Sequence, residues 1–178
     1  MDSGQQTVAT RAQRRRDDRL QGPEGALGIG PAIVEVDSLG MSLELKQDVI
    51  RRVKAGTLTP GYLIGVGSDP KTVKGEKYGY LTGIQYLTPA DGSGVANLCP
   101  FASSGCKAAC LNTAGHGDPR MGNTVQLARL TRTAFWQYQR SAYWAQLIKE
   151  IDSLIRKANR LGVIPVARLN GTSDIVWE

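Results

Sequence analysis

The sequence predicts an α/β fold made of βαβ units, either part of a parallel barrel or an open parallel sheet, and incomplete at its C-terminus. Three observations carry that expectation. GYLIGVGSDP and YGYLTGIQYL are short, rich in aromatic and β-branched residues and bounded by Gly and Pro, which is strand chemistry. VQLARLTRTAFWQYQRSAYWAQLIKEIDSLIRKANRLG then runs with helical periodicity, clearest at Leu147, Ile148, Ile151, Leu154, Ile155 and Ala158. After it, VIPVARL is an apolar strand whose pattern suits burial on both faces. Strand, helix and strand in that order make a crossover unit, whose ligands gather at the carboxyl ends of its parallel strands.

In chain order, residues 1–30 combine arginines, polar residues and the glycine-rich GPEGALGIGP without an apolar period. They read as a basic flexible tail and linker ahead of an α/β domain over residues 31–178. Arg11, Arg14, Arg15, Arg16 and Arg19 face only Asp17 and Asp18, a charge run that offers generic phosphate attraction and so a contact for nucleic acid. A solvated tail is the simpler reading. Ser42 then precedes LELKQDVIRRVKAG, where Leu43, Val49, Ile50 and Val53 recur near helical spacing and Gly56 offers a stop; this is an amphipathic packing helix. The glycines of GVGSDPKTVKGEK lack the GxxxxGK order, followed by Ser or Thr, of a phosphate-binding loop, so an ordinary turn is expected. The long helical stretch should bend or break near Arg140 and Ser141 and end at Gly162.

A chain of 178 residues, 41% hydrophobic and 21% charged, is large enough for one domain with a core of its own. No apolar run is long enough to span a bilayer, and MDSGQQT has neither the basic start nor the apolar stretch of a secretion signal, so a cytoplasmic protein is expected. Nothing in the residues fixes the oligomeric state or a substrate.

The only three cysteines, Cys99, Cys106 and Cys110, crowd into NLCPFASSGCKAACLNTAGHG. A reducing compartment keeps thiols free and an odd number cannot all pair, so metal or cluster ligation outranks a disulphide framework. The spacing CxxxxxxCxxxC suits a loop wrapped around a 4Fe-4S cluster, with three thiolates leaving one iron open. The competing reading is a zinc site completed by His116, the single histidine. His116 lies between Gly115 and Gly117 and reads equally well as a surface turn. Three buried free cysteines packing as small hydrophobes is the bland alternative.

The second motif, ARLNGTSDIVWE, sets Arg168, Asn170, Thr172, Ser173 and Asp174 at the mouth of the last strand. Asn170, Ser173 and Asp174 are the candidate cofactor-binding residues, placed near the open iron, with Asp174 suited to an ammonium group. Capping by Asp174 or Ser173 and a structural ion pair at Arg168 is the structural alternative.

SDPKTVKGEKYGYLTGIQYLTPADGSG, CPFASSGCKAACLNTAGHG and ARLNGTSDIVWE together resemble the gene product eighty-eight domain family of actinobacterial viruses, over roughly residues 60–178. The resemblance implies a phage-encoded protein of the host cytoplasm whose relatives continue past the terminal WE; it implies no particular reaction. A cysteine triad after one strand and a polar turn after the next is also similar, at the level of architecture, to the barrel start of radical S-adenosylmethionine enzymes. That family's usual triad is CxxxCxxC, and NGTSD stands where it carries a glycine-glycine-glutamate turn. The expectation is therefore an iron-sulphur protein that uses S-adenosylmethionine if it is an enzyme. The alternative is a zinc-stabilised, non-catalytic module binding nucleic acid or protein.

Overall fold

The computed structural model describes residues 35–67 and 69–177. The arginine-rich tail and linker expected over residues 1–30 lie outside the described residues.

Helix α1 spans Leu43–Lys54, with the Ser42 side chain accepting from Leu45 N at its start and Gly56 beyond its end at φ +70°. Strand β1, Ile64–Val66, leads into a short helix α2, Pro70–Glu76, and then β2, Tyr80–Gln85. A long connection carries α3, Ser104–Ala108, and three 3-10 turns before α4, Thr124–Tyr138. Gln139 breaks the helical stretch, α5 continues over Arg140–Leu161, and Gly162 ends it in the left-handed conformation. Strand β3, Ile164–Arg168, closes the series.

The sheet corrects the expected fold class. It has three strands in the order β1-β2-β3; β2 and β3 are parallel, but β1 runs antiparallel to β2, with Ile64 opposite Gln85 and Val66 opposite Gly83. The described residues therefore form a small mixed, open sheet and neither a parallel barrel nor an all-parallel sheet. Between β1 and β2 lie only the seven-residue α2 and its flanking turns, and the chain reverses direction across them. The barrel start that prompted the likeness to radical S-adenosylmethionine enzymes is absent from these residues.

Strand β3 is also not buried on both faces. It is an edge strand, with Ile164 57% exposed and Val166 on the surface. Ile164 N donates to Gly79 O across the ladder, so the next residue, Pro165, turns its nitrogen to the outer flank, where it has no proton to offer. At the other flank the Glu150 carboxylate accepts from Leu63 N and Ile64 N and so occupies the free amides at the start of β1.

Helices α1, α4 and α5 pack on one face of the sheet, while α2 lies near Tyr80 and Thr82 on the other. Val49 and Val53 of α1, Leu130, Ala134 and Phe135 of α4, and Tyr143 and Leu147 of α5 form the main core with Leu63 and Ile64. Leu154 and Ala158 of α5 cover Leu81 of β2. Gly83 permits this approach: a Cβ there would stand 2.4 Å from Ile64 Cγ2 and 3.1 Å from Leu154 Cδ2.

Asp37 ties the start of the described chain to α1. Its Oδ1 accepts from Leu39 N and Met41 N, and its carboxylate pairs with Lys46. Burial opposes its ionisation, but Lys46 and the two amides outweigh it and hold the carboxyl below its ordinary value. Stabilisation from a lowered pKa is present above the unfolded carboxylate range and is lost as pH falls through the folded value. Asp37→Asn is thus expected to cost about 1 kcal/mol at neutral pH, a modest figure for a partly exposed group. Urea unfolding across the acid range should show the difference from wild type closing as the pH drops.

Candidate functional site

The loop after β2 turns back on itself before it delivers the first cysteine. Leu98 N donates to Ala90 O and Ala90 N to Cys99 Sγ at 3.3 Å, which seats the buried thiol against the 89–92 turn. Ala90 has φ +48°, a left-handed conformation that a non-glycine residue adopts at a cost, so this turn is held by its surroundings.

From Cys99 the chain makes one turn, with Ala102 N donating to Cys99 O, and enters α3. Ser103 caps that helix by accepting from Cys106 N at 3.1 Å. Cys110 follows the helix and opens the 3-10 turn Leu111–Thr113. Cys106 lies on α3 and Cys110 two residues past its end, in extended backbone. Cys99, Cys106 and Cys110 all line one pocket of about 270 Å³, together with Ser38, Leu39, Asp91, Lys107 and Asn112. Cys106 is exposed and Cys110 partly so.

Lys107 stands 3.9 Å from Asp91 across this pocket. Beneath it lies a buried polar network that joins the loop to α4. Asn112 Nδ2 donates to Gln126 Oε1, and Gln126 Nε2 donates to the carbonyls of Asn112 and Gly117. Arg129 Nη1 donates to both the backbone oxygen and Oδ1 of Asn112, each at 2.6 Å. Sequence reasoning passed over Gln126 and Arg129. Their signal was there: with Thr133 they put a polar stripe on the face of α4 that also carries Leu130 and Ala134, where an ordinary amphipathic helix is apolar.

The second motif lies beside the first without entering the pocket. Asp174 N donates to Leu98 O at 2.9 Å, which fastens the NGTSD turn to the residue before Cys99. Asn170, Ser173 and Asp174 are nevertheless not among the residues lining the pocket. Asn170 Nδ2 donates to Ile175 O, and its Oδ1 accepts from Trp177 Nε1 and Ser173 Oγ. The Arg168 guanidinium donates to Asn170 O, and Thr172 donates to Leu87 O. Asp174 is exposed. Gly171 fits where a Cβ would meet Gln85 O at 2.4 Å. These bonds bind the turn to its own segment and to the strand exit.

His116 is exposed, occupies the 3-10 turn Gly115–Gly117 and does not line the cysteine pocket. Among the described residues no group of three or more His, Cys, Asp or Glu side chains is gathered closely enough to hold a metal ion. Zinc, with Zn–S bonds of about 2.3 Å, needs its sulphurs within about 4 Å of one another. No helix among the described residues is long and apolar enough to cross a membrane.

A family model described as Gene product 88 matches residues 63–178, which takes in the sheet, the cysteine loop and the NGTSD turn. No curated protein and no solved structure matches the chain.

Proposed function

This chain belongs to the Gene product 88 family, and on that premise we propose that it is a phage-encoded cytoplasmic protein that holds an iron-sulphur cluster through Cys99, Cys106 and Cys110. The supporting observation is that all three cysteines, which come from a loop, a helix and the turn after it, open onto one pocket. The rest of that wall mixes polar groups, among them Asp91, Lys107 and Asn112, with Leu39, Pro89 and small residues, and it has room for a guest larger than a single ion. Three protein thiolates leave one iron of a 4Fe-4S cluster free for an external ligand, and when bound the cluster supplies one-electron chemistry. Cys99, fixed by the Ala90 amide, is the rigid anchor; Cys106 and Cys110 approach from the surface side on α3 and its end.

Asn170, Ser173 and Asp174 are left out of this reading: the Asn170 and Ser173 side chains bond within their own segment, Asp174 is exposed, and none of the three lines the pocket. The proposal stops at cluster binding and does not extend to S-adenosylmethionine.

The test is anaerobic purification of the full chain, followed by iron, sulphide and zinc quantification and visible spectroscopy. Iron and acid-labile sulphide in equal amounts with a brown absorption is the expected result. Serine at any one of the three cysteine positions should weaken retention by at least the roughly 10–100-fold that loss of an outer partner already costs a metal site. A colourless chain without iron would overturn the proposal, and zinc in place of iron would replace it by the zinc-module reading.

A further inference from the structure

Behind the cysteine pocket sits a buried cation without a counter-charge. Arg129 is 8% exposed and forms no ion pair with a carboxylate among the described residues. Its Nη1 is taken up by Asn112, its guanidinium lies 5.3 Å from the Tyr86 ring centroid, and its Nε has no hydrogen-bond partner. Burial pulls its pKa down from the ordinary value and the nearby Arg132 adds to that, while Tyr86 and Cys110 act the other way. An arginine stays protonated under such pressure. Tyr86 cannot neutralise it, because burial and the neighbouring Asp69 push that phenol up to about 12.

A buried charge with no partner costs several kcal/mol, so a fold keeps one where something negative comes to meet it. Arg129 does not itself line the pocket; its two bonds to Asn112, which does, join its guanidinium to the pocket wall from behind.

We infer that Arg129 is the counter-charge of the cysteine pocket, a positioning residue that selects an anionic guest and favours that guest's more reduced, more negative state. This rests on the cluster reading given above. Three thiolates outweigh the positive charge of an iron-sulphur core, so the bound complex is anionic, and one added electron makes it more so. A fixed positive charge nearby therefore favours reduction. Hydrogen bonds and charges around the ligands are among the protein's means of setting cluster potentials.

The experiment is an anaerobic potentiometric titration of the reconstituted full chain, with dithionite supplying the electron and being oxidised to sulphite. Arg129→Gln should lower the reduction equilibrium constant about tenfold, which is a midpoint about 59 mV more negative for one electron. Arg129→Lys, which keeps the charge but loses the forked contact with Asn112, should stay near wild type. An unchanged midpoint in Arg129→Gln would overturn the inference, and so would equal shifts in the Gln and Lys variants, since that pattern marks a purely structural role. Should Arg129→Gln fail to fold, Arg129→Met is the neutral replacement, its apolar side chain suited to the space over the Tyr86 ring. Wild type that takes up no iron overturns the cluster reading and this inference together, whereas loaded wild type with an insensitive midpoint overturns this inference alone.

Discussion

Tyr143→Ala is expected to destabilise the fold by about 3–5 kcal/mol, the usual cost of removing a large aromatic ring from a core. Tyr143 is fully buried on α5, 6.1 Å from the Phe135 ring and 5.7 Å from the Trp144 ring in tilted and edge-on contacts. Its hydroxyl accepts from Gln85 Nε2 at the end of β2, so a single side chain joins both long helices to the central strand. Tyr143→Phe keeps the ring but removes the acceptor of Gln85 Nε2, on an amide whose Oε1 already lacks a partner among the described residues. Its cost should be about 1–3 kcal/mol, and urea unfolding separates the two variants. Burial also pushes the Tyr143 hydroxyl from 10.0 up to about 12. A raised folded pKa gives stabilisation that is complete below the unfolded value and is lost as pH rises through the folded one. The wild-type chain should therefore lose stability between about pH 10 and pH 12, and Tyr143→Phe should flatten that loss.

Gly117→Ala is the second large effect, and it acts on the site. A Cβ at Gly117 would stand 2.2 Å from the backbone oxygen of Asn112 and 2.9 Å from Arg129 Nη1. The obstacle is main chain, which cannot rotate away, so the cysteine loop must lift from α4. A cost of about 3 kcal/mol is expected, at the upper end of ordinary overpacking. The same shift should loosen the Asn112–Arg129 contact and so reduce retention of whatever the cysteines hold. Gly105→Ala is the matched control within the same loop. Its new Cβ would meet nothing closer than Ser103 Oγ at 3.9 Å, and as a helical position it should gain about 0.5–1 kcal/mol. Thermal unfolding and metal content, measured on both variants, distinguish obstruction at Gly117 from general sensitivity of the loop to glycine replacement.

Local chemistry made much of the fold legible. Ser42, Gly56 and Gly162 mark helix ends through caps and left-handed turns, and the interruption near Arg140 falls at Gln139. The relation between elements was harder to read. VIPVARL has the same apolar pattern whether it is covered on two faces or lies at an edge, and only the placement of β1 and α5 decides between them. The direction of β1 was hidden because PKTVKGE, read as a turn, forms a single short helix between antiparallel strands.

At the site, the clustering of Cys99, Cys106 and Cys110 in sequence did correspond to a common pocket, because capped turns fold short spacings back on themselves. A dense polar turn at a strand mouth satisfies its own segment as readily as it binds a ligand, and at NGTSD the Asn170 side chain bonds to Ile175 O and Trp177 Nε1. Arg129 was legible only as part of the polar stripe it makes with Gln126 and Thr133 on the buried face of α4; which groups that stripe meets depends on the packing of the cysteine loop.

The two flanks of the sheet have a consequence for the protein at high concentration. Three strands with exposed isoleucine and valine at one side would ordinarily seed fibrils, each new molecule docking on the ladder of the last. The Pro165 ring denies an incoming strand a donor at one side, and the Glu150 carboxylate pre-empts the donors at the other. Lateral addition of a further strand is thereby opposed at the beginning of each outer strand, where pairing would otherwise start.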